Sequence, residues 1–281
     1  MSTSHTPSGA PLRVAFIGGG NMARAILGGL LQAGWPAEAL QVVEPFADTA
    51  EALRRDFNIR VYAAASAALA EAQIVVWAVK PQLFNEAAAP CQAHLSGALQ
   101  LSVMAGLRSD AIARASGSAR VVRCMPNTPA LIGQGMTGLF ASAAVTPSER
   151  EAAQALLATT GRTLWVEREE LLDAVTAVSG SGPAYVFYLL EAMTDAGVAQ
   201  GLSPEQAYAL AQQTVVGAGT LAQQSSEPAA VLRQRVTSKG GTTHAAITAL
   251  DEAGVKASFV NALGAAGRRA KELGDEFGAA A

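Results

Sequence analysis

A run of glycines is the first part of the sequence that could bind a ligand. Gly18, Gly19, Gly20, Asn21, Met22 and Ala23 fit the pattern G-x-G-x-x-G/A and directly follow a predicted strand. Between a strand and a helix this pattern binds the pyrophosphate of a dinucleotide, with the helix N-terminus facing the anion. A plain glycine-rich turn would explain the same letters. The position before a predicted helix favours binding of NAD(H) or NADP(H).

An acidic residue follows the second predicted strand, Leu40–Val43. Glu44 lies about as far beyond the glycines as the acidic side chain that binds the adenosine ribose in dinucleotide-binding proteins. A carboxylate there would repel a 2′-phosphate, and no Arg or Lys occupies positions 45–53. The pattern leans towards NADH, and a solvated carboxylate at a strand end is the alternative.

Two more segments follow predicted strands, where doubly wound sheets bind their ligands. Ala78, Val79 and Lys80 end the run that begins at Ile74, and Lys80 is either a ligand or a solvated lysine. Met125, Pro126 and Asn127 follow the predicted strand Arg120–Arg123. The prolines make this loop stiff enough to hold an amide beside a reactive ring, although a purely structural turn explains it equally well.

A second segment rich in glycine and hydroxyl groups precedes a predicted helix near the C-terminus. It consists of Ser238, Lys239, Gly240, Gly241, Thr242 and Thr243. Backbone amides and hydroxyls at a helix N-terminus can bind a small carboxylate. A glycine C-cap followed by a threonine N-cap would also produce this sequence.

Other chemistries lack the residues that they need. Cys91 and Cys124 have no Cys/His cluster around them, so we predict no metal site, and no serine-hydrolase motif is present. His244 fits a surface histidine. A net charge of -3 and a pI near 5.7 argue against nucleic acid, and no apolar run reaches the length of a membrane span. Two thiols without a visible secretion signal predict a cytoplasmic protein.

The elements that position these residues fall into two series. As far as about residue 166, short apolar runs alternate with helical patterns, which predicts an α/β fold, a doubly wound parallel sheet of the Rossmann type. Beyond it we find almost only helix signals. We therefore predict a flexible tail over 1–11, a dinucleotide-binding domain over 12–166 and an all-helical domain over 167–281. One α/β domain with a long helical tail is the alternative. The predicted helices of the second series are Glu169–Val178, Pro183–Gln200, one opened by Ser203 and Pro204, Pro228–Val236 and two within Thr242–Phe277.

Together these segments resemble the Δ1-pyrroline-5-carboxylate reductases, which catalyse the last step of proline biosynthesis. The matching stretches are FIGGGNMARAILGGL, AVKPQ, RCMPNTPALIGQGMTGL, AVSGSGPAYVFYLLEAM and VTSKGGTTHAAI, in order between Val14 and about Ala270. The resemblance implies hydride transfer from NAD(P)H to C5 of the cyclic imine 1-pyrroline-5-carboxylate, which gives L-proline. It also implies that the helical domain forms a homodimer, which in many members assembles further into a decamer.

The resemblance assigns roles to individual residues. It implies cofactor contacts at Gly18–Met22, near Glu44, and at Ala78–Lys80 and Met125–Asn127. The substrate carboxylate would be bound by Ser238, Gly240, Gly241, Thr242 and Thr243, and Thr243 would also hydrogen-bond the ring nitrogen and donate or relay the proton. Two features depart from the family pattern: Lys239 stands where many members have proline, and Glu44 argues against the NADPH that members commonly prefer. A related imine or β-hydroxyacid reductase, with Lys239 as its catalytic lysine, and a non-catalytic NAD(P) sensor are the alternatives.

Overall fold

The computed structural model describes residues 12–95 and 97–279, so the predicted tail over 1–11 lies outside the described residues. The described chain forms an eight-stranded sheet in the order β3-β2-β1-β4-β5-β6-β7-β8. Its strands are β1 Val14–Ile17, β2 Leu40–Val43, β3 Arg60–Tyr62, β4 Ile74–Trp77, β5 Leu99–Ser102, β6 Val121–Met125, β7 Gly135–Ala141 and β8 Gly161–Trp165. All neighbouring strands are parallel except β6 and β7. The predicted α/β fold is confirmed.

Both faces of the sheet are covered, as the continuous apolar runs predicted. The α-helices of this part are α1 Asn21–Gln32, α2 Ala47–Phe57, α3 Phe84–Ala88, α4 Ser109–Ser116, α5 Pro147–Ala158 and α6 Leu171–Val175. Phe16 of β1 belongs to the core cluster that contains Leu30 of α1. On the other face Trp77 meets Phe84 edge to face, with ring centroids 5.0 Å apart. Ile17, next to Phe16 in β1, belongs to the same cluster as Trp77, so alternate residues of one strand contribute to two separate cores.

The last two strands, β7 and β8, were not predicted from the sequence. Glycine weakens a strand signal, and β7 contains Gly135 and Gly138. Gly138 is required by packing, because a Cβ there would lie 2.6 Å from Cγ1 of Val175. Gly161 of β8 has φ +142° and lies against the backbone of Gly135, where no side chain fits. Gly161 and Gly135 therefore allow a close approach of two backbones, whereas Gly138 makes room for the Val175 side chain.

The remaining helices follow the predicted series with shifted bounds. They are α7 Gly182–Ala199, α8 Pro204–Gln224, α9 Ala229–Arg235, α10 Thr242–Glu252 and α11 Val255–Ala279. The predicted capping of α8 is confirmed, since the Ser203 hydroxyl accepts the N–H of Gln206. The single helix predicted over Glu169–Val178 is wrong in form: α6 ends at Val175 and a π-helix follows over Thr176–Gly180.

Two compact units make up the chain. One extends to Ser181 and also includes the residues from Ala266 onward, and the other is Gly182–Ala265. The domain boundary expected at 166 stays a prediction. Within 182–265 the buried residues are Leu190, Ala207 and Ala211. No described helix is long and apolar enough to cross a membrane.

Candidate active site

The glycine turn lies at the carboxyl end of β1, between β2 and β4. Gly18 has φ +97°, and its N–H donates to the Val43 carbonyl at 2.9 Å. A Cβ on residue 18 would lie 2.7 Å from the Ala78 oxygen and 2.9 Å from Cγ1 of Val79. The structure therefore brings the predicted glycine segment against the predicted segment Ala78–Lys80, and only glycine permits this approach.

The N-terminus of α1 is open. Gly20 is its N-cap residue, no side chain caps it, and its first turn contains no acidic residue. A Cβ on Gly20 would meet no atom within 4 Å, and Asn21 beside it is exposed. Amides at the start of a 12-residue helix, next to free space, suit a pyrophosphate. The residues at this edge thus fit a dinucleotide.

Glu44 is buried below this turn, with 5% of its surface exposed. Its Oε2 accepts the N–H of Gly19 at 2.8 Å, and its Oε1 accepts the N–H of Phe46 at 2.9 Å. The alternative of a solvated strand-end carboxylate is therefore wrong. The expected contact with a ribose stays a prediction.

Two further strand ends lie at the same edge. Lys80 is exposed, and its carbonyl accepts the N–H of Leu83 at the start of a short 3-10 helix. After β5 the chain turns at Gly106, which has φ +77°. A Cβ there would lie 3.1 Å from the Phe277 ring, so the end of α11 packs on this turn.

The loop that begins at Met125 is held by its asparagine. Asn127 Oδ1 accepts the N–H of Met136 at 2.9 Å, and Nδ2 lies 3.3 Å from both the carbonyl and the hydroxyl oxygen of Ser179. Pro126 is buried between Met125 and Asn127. The side-chain amide thus ties the loop to β7 and to the π-helix. The structure therefore shows a structural role for this amide. Its expected position beside a reactive ring stays a prediction.

An ion pair between β6 and the segment after β8 was not predicted. Arg123 Nη1 donates to Glu169 Oε1 at 2.8 Å, and the same carboxylate accepts the N–H and the hydroxyl of Ser109, each at 2.6 Å. Burial raises the pKa of nearby Asp173, and the neighbouring positive charges of Arg123 and Arg108 oppose that rise. The arginine within the apolar run of β6 could have indicated that a buried charge needs an acidic partner here.

The predicted carboxylate-binding segment forms a tight turn before α10. Gly240 has φ +76°, and the Gly241 N–H donates to the Ser238 carbonyl at 3.0 Å. The N-cap residue of α10 is Gly241, without a side-chain hydrogen bond, so the alternative of a threonine N-cap is wrong. Thr243 is half-buried, whereas Ser238, Lys239 and Thr242 are exposed. The hydroxyls of the two threonines therefore do not cap their own helix.

The two thiols are buried and free. Burial raises the pKa of Cys91 to about 11 and raises that of Cys124 further. Among residues 12–95 and 97–279 no group of three His, Cys, Asp or Glu side chains could hold a metal ion.

Comparison with known proteins gives consistent matches over both parts of the chain. Residues 169–273 match the family described as pyrroline-5-carboxylate reductase dimerisation, and residues 13–106 match the one described as NADP oxidoreductase, coenzyme F420-dependent. A pyrroline-5-carboxylate reductase of Pseudomonas aeruginosa is 45% identical over an alignment of 272 residues that covers 95% of this chain and 98% of the relative.

Solved structures agree. The pyrroline-5-carboxylate reductase of Coxiella burnetii superposes with a TM-score of 0.89 at 36% identity, over 93% of this chain and 98% of the other. The pyrroline carboxylate reductase of Plasmodium falciparum, solved with NADP bound, gives a TM-score of 0.82 at 28% identity, over 94% of this chain and 99% of the other.

Proposed function

The chain belongs to the pyrroline-5-carboxylate reductase family, and from this membership we propose that it reduces 1-pyrroline-5-carboxylate to L-proline with a nicotinamide dinucleotide. The observation that carries the proposal is the open N-terminus of α1 at Gly20, in a turn that contacts Ala78 and Val79. A non-catalytic sensor would keep this turn, so the reaction itself has to be measured.

The cofactor-binding residues are the glycine turn, Ala78–Lys80 and Met125–Asn127. The bound dinucleotide, NADP(H) or NAD(H), supplies the hydride. The uncapped start of α1, which follows the glycine turn, binds and orients it through backbone amides, and Asn127 holds the loop over Met125–Asn127 in place. The NADP in the Plasmodium structure supports NADPH as one donor.

The turn over 238–243 binds the substrate carboxylate. Its support is an accessible helix N-terminus whose hydroxyls at Ser238 and Thr242 are exposed and do not cap the helix. A protonated cyclic imine is already electrophilic, so no strong side-chain acid is needed. Thr243 is half-buried on the first turn of α10, and its hydroxyl would hydrogen-bond the ring nitrogen and relay the proton that converts the neutral imine to this iminium before hydride transfer.

The test is oxidation of the reduced dinucleotide by the purified protein with 1-pyrroline-5-carboxylate, run in parallel with NADH and NADPH. We expect rapid turnover with at least one of them, and L-proline as the product. Cofactor binding without turnover would contradict the proposal and leave the sensor or a different imine substrate. Glu151→Gln, an exposed change in α5 outside the proposed site, provides the matched control for protein handling.

The helical unit forms the dimer. It buries few of its own residues, whereas large apolar side chains of α7 and α8 are exposed, among them Phe187, Tyr188, Leu189, Tyr208 and Leu210. An apolar surface of this extent requires a partner in solution, and the match to a dimerisation family agrees. A second copy of the chain is the partner that we propose.

Sedimentation of the protein should show at least a dimer. Tyr188→Asp places a charge on a side chain that is 75% exposed, and we expect it to shift the protein towards the monomer. Glu151→Gln should leave the mass unchanged. A wild-type protein that sediments as a monomer would contradict the proposal. The decamer, the cytoplasmic location and the absence of nucleic-acid partners stay predictions.

A further inference from the structure

The carboxylate of Glu44 is occupied by two backbone amides. Gly19 lies in the middle of the glycine turn, and Phe46 is the N-cap residue of α2. One side chain therefore links two loops at the carboxyl edge of the sheet. Glu44 is itself fixed at the main chain, where its N–H donates to the Tyr62 carbonyl at 2.9 Å.

Both oxygens of the Glu44 side chain are held by these amides. Among the described residues, no Lys, Arg or His nitrogen forms an ion pair with it. Hydrogen bonds from N–H groups to a carboxylate are about twice as strong as those between neutral groups, so their loss would release both loops. Leu53 of α2 packs directly on Gly19, which leaves no space for a side chain there.

A carboxylate that selects a ribose has to present an oxygen to the ligand. Here the two oxygens accept backbone N–H groups at 2.8 and 2.9 Å, and only 5% of the residue surface is exposed, so burial keeps the carboxylate from a ligand. Phe46, whose N–H holds Oε1, instead projects its ring outward and is 68% exposed.

We propose that Glu44 is a positioning residue: it holds the glycine turn in the shape that receives the pyrophosphate, and it does not select between NADH and NADPH. This inference rests on the proposed function, because it requires that the turn binds a dinucleotide. Because Glu44 acts through the glycine turn, it should affect the binding of NADH and of NADPH by the same factor.

The test compares Glu44→Gln with the wild type by titration of NADH and NADPH and by thermal unfolding of the free protein. Glutamine keeps the shape but presents an amide N–H₂ where one backbone N–H needs an acceptor. We expect both dissociation constants to rise by about tenfold and by the same factor. The unfolding temperature should fall without any cofactor, and the KM for the imine and kcat at saturating cofactor should stay within about twofold of wild type. Glu51→Gln, an exposed change in α2, should alter none of these.

A second pair of variants tests the hydrogen bond that the Phe46 N–H donates to Oε1 of Glu44. Phe46 has φ -82°, which proline accepts, so Phe46→Pro removes the N–H that Oε1 accepts. Phe46→Ala removes the ring and keeps the N–H. We expect the proline variant to weaken both cofactors beyond the alanine variant, and equal affinities of the two variants would overturn the inference.

Selective effects would also overturn it. Weaker NADH together with tighter NADPH in Glu44→Gln, at an unchanged unfolding temperature, would show that Glu44 faces the ribose. A wild-type protein that binds neither dinucleotide would overturn the proposed function and, with it, the role of Glu44 as a cofactor-positioning residue. A wild type that binds both while the variant alters their ratio would overturn the inference alone.

Discussion

Arg123 and Glu169 form a buried ion pair, with Nη1 of the arginine 2.8 Å from Oε1 of the glutamate. Arg123 lies in β6 two residues before the Met125 loop, and Glu169 also accepts two hydrogen bonds from Ser109 at the start of α4. One carboxylate therefore links the start of α4, which follows β5, to strand β6.

Removal of this carboxylate should destabilise the protein strongly. Glu169→Ala leaves Arg123, which is 7% exposed, without a counter-charge, and a lone buried charge costs about 3 kcal/mol or more. Urea unfolding at fixed protein concentration measures the loss, and exposed Glu167→Gln is the control. In an Arg123→Met background the same alanine substitution should cost less. Equal costs in both backgrounds would show that the pair does not contribute.

Two adjacent glycines of α1 should respond oppositely to alanine. A Cβ on Gly28 would lie 3.6 Å from the Phe57 ring, an ordinary contact, so Gly28→Ala should stabilise the helix by about 0.5–1 kcal/mol. A Cβ on Gly29 would lie 2.8 Å from the carbonyl and hydroxyl oxygens of Thr159, so Gly29→Ala should destabilise. Thermal unfolding of the two variants gives the comparison. Two shifts of the same sign would contradict the packing of α1 against residue 159.

Thr243→Val should lower kcat while the fold stays intact. Valine keeps the shape of threonine and removes the hydroxyl that we propose as proton relay, and general acid catalysis of this kind contributes about 10²-fold or more. Thr243→Ser retains a hydroxyl and should recover most of the rate. Steady-state kinetics with saturating imine measure both variants. Full turnover by the valine variant would dismiss the role of Thr243.

The native thiols should resist alkylation. Burial raises the pKa of Cys91 to about 11, and Cys124 is also buried with a raised pKa, so little thiolate forms near neutral pH. We expect a thiol reagent at pH 8 to label neither cysteine in the folded protein and both in urea. Rapid labelling of the native protein would show that one of these positions opens to solvent.

Asp173 and Asp110 should give opposite pH dependences. Burial raises the pKa of Asp173 in the folded state, so the folded protein binds this proton more tightly, and stability is lost as pH rises above the usual value of 3.8. Asp173→Asn should therefore gain stability relative to wild type between pH 4 and 7.

A hydrogen bond from Arg114 lowers the pKa of Asp110, so the stabilising contribution of the ionised Asp110 is lost as pH falls. Asp110→Asn should therefore destabilise the protein near neutral pH, and this difference from wild type should disappear as the pH falls. Unfolding temperatures across this range test both signs.

Much of this architecture follows from local sequence patterns. Continuous apolar runs such as Ile74–Trp77 predict buried parallel strands, and the Ser203 capping pattern predicts the start of α8. β7 and β8 escape such patterns because their glycines serve contacts between residues distant in the sequence, as between Gly135 and Gly161. The same limit applies to side-chain partners: the position of Glu44 is readable from the sequence, whereas its two backbone donors are not.

The unit that contains the sheet is not continuous in the sequence. Its last piece begins at Ala266, and from that piece Phe277 packs on Gly106 and Asp275 pairs with Arg108. During synthesis the strands leave the ribosome long before these residues do. The turn after β5 therefore stays uncovered until residues 275–277 have been synthesised. Completion of the unit that contains the sheet is thus coupled to the synthesis of a segment about 100 residues beyond the last strand, β8.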